Sequence, residues 1–277
     1  MPELPEVEII VRHLRQLLTG RRIINARLLR DKLAPAIVPR AFAARLRGAT
    51  ILDVARRGKN ILIRLSNGRT LITHLRMTGQ FVLLDSSARQ SLHTHAVFVL
   101  DRNETLLFND QRHFGWMNIV DTLRETSEGT LAALGYDPFD DEFTPEILHR
   151  SLKRTRRPVK LFLLDQQRIA GLGNIYVAEV LFLAGIAPNA QSHRISRPRT
   201  QRLYDAIIEV LKQAIAKGST EKVDNLDGGS VYVGGEFDGT WFVYDREGEP
   251  CRVCGTPIKR IRQGQRSTYY CPGCQRR

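Results

Sequence analysis

The chain has 277 residues, 42% of them apolar, enough for one large domain or two ordinary ones built on a real core. Its 42 Lys and Arg against 29 Asp and Glu leave a net charge of +13, an excess that points to a polyanionic partner. An anionic membrane is the weaker candidate, because no apolar run approaches spanning length and no basic segment followed by an apolar one opens the chain.

Taken in order, the first element is a helix over 5–18. Val7, Ile10, Val11, Leu14, Leu17 and Leu18 recur at helical spacing, Pro5 suits the first turn, and Gly20 can end it. Between about 22 and 120 the pattern becomes short β-rich runs, such as 61–65, 70–74, 80–84 and 96–100. Turn signals separate them, among them Ser66-Asn67-Gly68 and Asp101-Arg102-Asn103. This pattern predicts an antiparallel β-sandwich with the first helix packed on it. From 144 to 217 the chain turns helical, with segments near 144–152, 158–166, 174–184 and 197–217, the last carrying Leu203, Ile207, Leu211 and Ile215 four residues apart. Residues 218–240 are glycine-rich with little periodicity and read as a long loop or lid. The fold class is α+β, divided into a β-sandwich domain over 1–130, a helical domain over 131–240 and a terminal module over 241–277.

That terminal module holds all four cysteines. Cys251-x-x-Cys254 and Cys271-x-x-Cys274 are separated by sixteen residues, the spacing of a four-thiolate zinc site. Each pair on a tight turn offers two sulfurs, and the hairpin between them completes a tetrahedron. Four sulfurs leave no open position for water, so one structural zinc is expected and not a catalytic one. The clustering argues against a disulfide framework and for a reducing compartment. Lys259, Arg260, Arg262 and Arg266 on the intervening hairpin favour phosphate contact over a merely solvated face.

At the other end, Met1-Pro2-Glu3-Leu4-Pro5-Glu6 has two readings. Acidic residues and proline at a helix start are what dipole compensation and first-turn preference give anyway. The other reading is chemical: with Met1 removed, Pro2 is a secondary amine whose reference pKa of about 7.7–8.0 leaves part of it unprotonated near neutrality. Such an amine can attack a sugar's anomeric carbon and form a Schiff base.

The order of motifs is distinctive. Pro2-Glu3-Leu4-Pro5-Glu6-Val7-Glu8, Arg57-Gly58-Lys59, His74-Leu75-Arg76-Met77-Thr78-Gly79, Asp110-Gln111-Arg112-His113-Phe114-Gly115, Gly171-Leu172-Gly173-Asn174-Ile175-Tyr176 and the cysteine tail follow one another across almost the whole chain. Together they resemble the formamidopyrimidine-DNA glycosylases, relatives of endonuclease VIII. The resemblance implies a helix–two-turns–helix motif in the helical domain and a β-hairpin zinc finger at the end. It implies Pro2 as the nucleophile that displaces a damaged base, Glu3 as general acid–base, and Lys59 as an aid to catalysis beside the target phosphate. Lys160 is expected to contact the damaged base or its neighbouring backbone. Met77, Arg112 and Phe114 resemble an intercalating set that fills the hole left by an extruded nucleotide. Asn174 and Arg266 are expected to grip the phosphates flanking the lesion, Arg266 counting also with the catalytic set, while His74 and His95 join the DNA-binding residues.

Some positions depart from the family's pattern: Ile9, Thr78, Ala178, His113 and above all the stretch 218–240, where the loop that covers the damaged base is expected. The implied activity is a bifunctional glycosylase and abasic-site lyase acting on double-stranded DNA. It would release 8-oxoguanine or formamidopyrimidines and then cleave by β- and δ-elimination, as a monomer in a bacterial cytoplasm at the nucleoid. Two alternatives stay open: an endonuclease VIII-like preference for oxidised pyrimidines, and a non-catalytic lesion-binding protein if Met1 is retained.

Overall fold

The computed structural model describes residues 2–85, 90–127, 129–218 and 240–276. All of the expected lesion loop except Gly218 and Thr240 therefore lies outside the described residues. The described residues divide into two compact units, one over 2–132 with 218 and the other over 133–217 and 240–276.

The first unit opens with α1 (Leu4–Leu18), whose apolar stripe, including Leu4, Val7, Val11 and Leu14, is buried, whereas Leu17, at the same helical spacing, is 39% exposed. The helix stops at Thr19, and Gly20 takes φ +84° to turn the chain away. Next come β1 (Ile23–Leu28), α2 (Pro39–Leu46) and β2–β8, which span Ile51–Arg57, Asn60–Leu65, Arg69–His74, Gly79–Asp85, Thr94–Leu100, Glu104–Asp110 and Trp116–Asp121; the short α3 (Gly129–Ala132) follows. They build two four-stranded antiparallel sheets, ordered β1-β6-β7-β5 and β2-β3-β4-β8. One core joins both sheets with α1 and α2 through Val7, Leu14, Phe42, Val54, Ile63, Leu71, Phe81, Phe98, Phe108 and Met117. The two-residue alternation of β5 is visible in its packing: Phe81 and Leu83 face that core, and Val82 and Leu84 face a second cluster with Val97 and Leu107. This is the expected antiparallel sandwich with its helix.

The second unit contains α4 (Pro145–Lys153), α5 (Val159–Leu163), α6 (Asn174–Leu183), α7 (Arg197–Lys217) and the hairpin of β9 (Lys259–Gln263) and β10 (Arg266–Tyr270). Helix α6 is apolar on nearly every face and seven of its ten residues are buried, as an all-round hydrophobic helix must be. Its Ala178 and Phe182 pack against Val243, Cys251, Ile258, Tyr269 and Cys271, so the cysteine module shares a core with the helix. The one charge in α6, Glu179, is buried and accepts from the backbone N–H groups of Phe242, Val243 and Tyr244 at 2.8, 3.0 and 2.9 Å. Burial pushes this carboxyl above its ordinary value, and the three amides pull against that. Among the described residues no helix is long and apolar enough to cross a membrane.

Candidate functional site

The first group of site residues sits on a helix start. Glu3 is the N-cap of α1, and its backbone N–H donates to Glu6 Oε2 at 2.8 Å, the returning half of a capping box. Pro2 is half-buried immediately ahead of the helix, and the Glu3 residue beside it is buried. Helix α1 is also tied to the turn that carries Lys59. The Glu8 carboxylate accepts from Arg12 Nε and Arg56 Nε, both at 2.9 Å, and Arg56 donates onward to the Gly58 carbonyl at 3.1 Å. Burial raises the Glu8 pKa, but its bonds to Arg56 and Arg12 outweigh that and hold it below the usual carboxylate range. Lys59 itself is buried in this turn between β2 and β3.

His74 closes β4, opposite Asn60 in the register. Its Nδ1 accepts from the Arg76 backbone N–H at 3.0 Å, so the neutral ring carries its proton on Nε2. Burial, together with the positive charges of Arg76 and Lys59, pushes its pKa down to about 4. At neutral pH His74 is an uncharged N–H donor.

The three intercalation candidates are displayed on two adjoining loops. Met77 is 42% exposed and Phe114 54%, whereas their neighbour Leu75 is 1% exposed, so neither belongs to the core. The Arg112 guanidinium lies 5.1 Å from the centroid of the Phe114 ring. Both loops are gathered by Asp110, which is 1% exposed. Its Oδ1 accepts from the Thr78 hydroxyl and from the Arg112 N–H at 3.2 Å, and its Oδ2 accepts from the Gly115 N–H at 2.6 Å. The Thr78 hydroxyl also accepts from the Arg112 N–H at 3.0 Å. Both loops press their backbones onto the Phe108 ring, where a Cβ on Gly79 or Gly115 would come within 2.9 or 2.8 Å of its Cζ. That close approach is why each motif ends in glycine. His95 lies behind this pair of loops, buried, with Nε2 donating to the Asp110 carbonyl at 2.8 Å and standing 2.8 Å from His113 Nδ1.

In the second unit Asn174 is the first residue of α6, with Gly173 as its N-cap, so Asn174 is not the cap itself. Its side-chain Oδ1 is buried and has no partner within the described residues. Lys160 is wholly buried in α5, where Nζ donates to the Ser267 carbonyl at 2.8 Å and to Thr268 Oγ1 at 2.6 Å. Arg266 is exposed at the start of β10, directly after the hairpin turn.

The four cysteine sulfurs lie within 4.8 Å of one another, with Cys254–Cys271 at 3.4 Å and Cys251–Cys274 at 3.8 Å. A zinc tetrahedron with Zn–S near 2.3 Å needs sulfurs about 3.8 Å apart, so the donor set fits the ion.

Comparison with known proteins settles the family. Family models match in three consecutive segments: the formamidopyrimidine-DNA glycosylase N-terminal domain over residues 1–117, its H2TH domain over 134–224, and the zinc finger found in FPG and IleRS over 248–277. The chain belongs to the formamidopyrimidine-DNA glycosylase family. Formamidopyrimidine-DNA glycosylases of an Exiguobacterium species and of Pediococcus pentosaceus are 40% and 42% identical to it, each over 99% or more of both chains. Solved complexes of the Lactococcus lactis Fpg with DNA containing an abasic site, an oxidised pyrimidine or Fapy-dG share 30–31% identity, with a TM-score of 0.89 over 99–100% of this chain and all of that one. The zinc-finger match and the sulfur geometry together assign one structural zinc to Cys251, Cys254, Cys271 and Cys274.

Several residues of this glycosylase fold that support the site were not singled out in its sequence: Glu8, Arg56, Thr78 as a hydroxyl, Asp110 and Glu179. Of these Glu8, Thr78 and Asp110 carried a signal, as members of quoted motifs, whereas Arg56 and Glu179 carried none. Two outcomes follow for the first unit. Asp110→Asn turns an amide N–H toward one of three donors, so it should cost about 1–3 kcal/mol in a denaturant melt. It should also reduce the fluorescence rise of 2-aminopurine placed opposite a lesion; an unchanged melt and an unchanged rise would remove Asp110 from the support of the loops. The depressed pKa of His74 means that the unfolded ring, with a reference value near 6.5, takes up its proton first as pH falls. Its contribution to stability is therefore complete above about pH 6.5 and lost toward its folded value near 4. Urea melts at pH 7 and 4.5 should accordingly differ less for His74→Asn than for the native chain.

Proposed function

We propose that the chain is a bifunctional DNA glycosylase and abasic-site lyase of base excision repair, with the amine of Pro2 as nucleophile once Met1 is removed. The observation that carries this reading is the pairing of Pro2 with a buried carboxyl, Glu3, on a capped helix start that Glu8 and Arg56 tie to the Lys59 turn. The amine lone pair attacks C1′ of the damaged nucleotide, the glycosidic bond breaks, and its electrons leave with the base. Glu3 delivers a proton to the ring oxygen O4′, the sugar opens, and the proline nitrogen, having shed its own proton, becomes an iminium at C1′. Loss of a C2′ proton then expels the 3′-phosphate, and a second elimination expels the 5′-phosphate. Lys59 stabilises the adjoining phosphate.

Recognition is divided among the remaining residues. Met77 and Phe114 enter the stack where the nucleotide has left it, and Arg112 bonds the orphaned partner base. His74 donates from Nε2 to a phosphate. Asn174, at a helix start whose dipole favours anions, and Arg266 hold the phosphates beside the lesion. His95 serves DNA binding by supporting the loop that carries Arg112. The division of labour is a catalytic β-sandwich over 1–130, a helical DNA-binding domain over 131–240 and a zinc finger over 241–277. The ion locks the finger and takes no part in the reaction. The substrates are oxidised purines, 8-oxoguanine and formamidopyrimidines, in duplex DNA. The enzyme acts as a monomer in the bacterial cytoplasm, at the nucleoid.

Borohydride added during turnover should join the protein covalently to lesion-bearing DNA, with the adduct on the N-terminal peptide at Pro2. A crosslink at a lysine that survives Pro2→Gly with unchanged kinetics would overturn the mechanism, and a native protein that keeps Met1 and traps nothing would leave a non-catalytic lesion binder. Oligonucleotides bearing 8-oxoguanine and an oxidised pyrimidine, run side by side, rank the two substrate classes. Glu3→Gln should slow base excision by about 10²–10⁴ while leaving lesion-DNA affinity within a few fold. Elemental analysis should find one zinc per chain, and Cys271→Ser should lose it together with most DNA binding; a zinc-free protein that binds normally would take the finger out of recognition.

A further inference from the structure

We infer that Lys160 is a positioning residue: it seats the β9–β10 hairpin on α5 and so aims Arg266, and it does not touch the damaged base. The inference rests on the reading of Arg266 as a phosphate contact.

A two-stranded hairpin is marginal in water unless another element supports it. Here the support is α5. The turn between the strands is Gly264-Gln265, with φ +53° and +61°, the pair of left-handed residues that a tight two-residue hairpin turn demands. A Cβ on Gly264 would come within 2.8 Å of Leu161 Cδ2, so the turn lies directly on the residue after Lys160. On the next stretch of β10, Lys160 Nζ takes the Ser267 carbonyl and the Thr268 hydroxyl, the latter on a residue only 1% exposed. The Lys160 backbone N–H is itself held by the Pro188 carbonyl at 3.3 Å, and Gln263 Nε2 donates to that same carbonyl at 3.4 Å. Lys160 and Leu161 thus hold the hairpin on both sides of Arg266, which is the residue between the turn and the Lys160 bonds.

The chemistry of the ammonium agrees with this placement. A wholly buried lysine is costly unless its donors are satisfied, and two of its three are spent on the hairpin. Burial, with the charge of Arg266 nearby, pushes its pKa down to about 8. Even the neutral amine keeps two N–H donors, as many as the two acceptors it faces, so the latch persists on both sides of that value.

The test compares Lys160→Met, Thr268→Val and Arg266→Ala with the native enzyme, all zinc-loaded, on three duplexes: undamaged, abasic-analogue and 8-oxoguanine. Arg266→Ala should weaken binding to all three alike and flatten the salt dependence, as loss of a phosphate contact does. Lys160→Met should do the same by about tenfold, with a shallower salt slope. It should lower base release and abasic-site cleavage in parallel through KM. The double variant Lys160→Met with Arg266→Ala should bind no worse than Arg266→Ala alone, because a residue that acts through another loses its effect when the other is gone. Thr268→Val should move binding in the same direction by a smaller factor, and it decides by the same double-variant comparison if Lys160→Met loses its zinc.

If Arg266→Ala leaves binding unchanged, the phosphate reading of Arg266 fails. If Arg266→Ala weakens binding but the Lys160 and Thr268 effects are absent or add to it in full, the positioning inference alone fails. It also fails if Lys160→Met abolishes 8-oxoguanine release while sparing abasic-site cleavage, since that result assigns Lys160 to the base.

Discussion

The Asp110 carboxylate is sealed from solvent between two loops, and an ionised carboxyl so placed must find donors or carry a large desolvation cost. It finds them on both loops at once, in the Thr78 hydroxyl and in the backbones of Arg112 and Gly115. Neither loop can move away without stranding that charge, so the three residues at their tips, Met77, Arg112 and Phe114, are displayed as one unit. Burial raises the Asp110 pKa and the donors on the two loops lower it further than burial raises it, which keeps the clasp ionised at neutral pH. The same device recurs elsewhere. An ionic group, half-buried at Glu8 and buried at Lys160 and Glu179, fixes a loop or hairpin by bonding to its backbone or to a side chain on it.

Much of the fold is legible from periodicity. Helix α1, the β-rich stretch and the long α7 follow from the spacing of apolar residues, because each element buries one face along its whole length. Helix α2 escapes that logic: only Phe42 and Leu46 of its eight residues are buried, and it lies inside a stretch dominated by strands. Helix α5, expected over 158–166, ends at Leu163 because Asp165 turns its carboxylate onto the Gln167 N–H and starts a turn there. Within the site, the residues that would touch DNA are legible as motifs, since they cluster in short runs. The long-range pairings that support them are not. Arg56 meets Glu8 across 48 residues, and Glu179 meets its three amides across 63 to 65, distances at which one sequence carries no pattern. Lys160 illustrates the difference: the family resemblance suggests a lysine near the lesion, and only the hairpin contacts reveal what its ammonium holds.

The basic excess needs the same division. A net charge of +13 measures the pull toward a polyanion, yet some arginines are occupied inside the protein. Arg21, with an 8% exposed side chain, is paired with Asp101 and Glu104. Arg64 bridges Glu125 and Asp53, and Glu125 takes the Thr70 hydroxyl as well. These pairs brace the two sheets and cannot release counterions from DNA. The electrostatic footprint therefore belongs to the exposed cations, among them Arg112 and Arg266, and the salt dependence of binding should follow their number, not the total.

Two large apolar side chains held in water at loop tips run against the force that built the core. Left to itself, a Met or Phe side chain gains by folding back onto any apolar surface in reach. The clasp at Asp110 prevents that by fixing the backbone on either side, and the Arg112 guanidinium over the Phe114 ring gives the exposed face a weak polar partner that water does not displace. Apolar area that stays unburied in the free protein is available when a gap opens in a base stack; with Met77 42% and Phe114 54% exposed, about half of the roughly 1.5–3 kcal/mol for burying a whole side chain remains to be gained at each. Part of the unstacking cost of extruding a nucleotide, a few kcal/mol, can be offset in this way. On the intercalating role proposed for these loops, rigidity would favour the exchange: a loop already ordered would surrender little conformational entropy on entering the stack, and more of the burial energy would go into holding the DNA open.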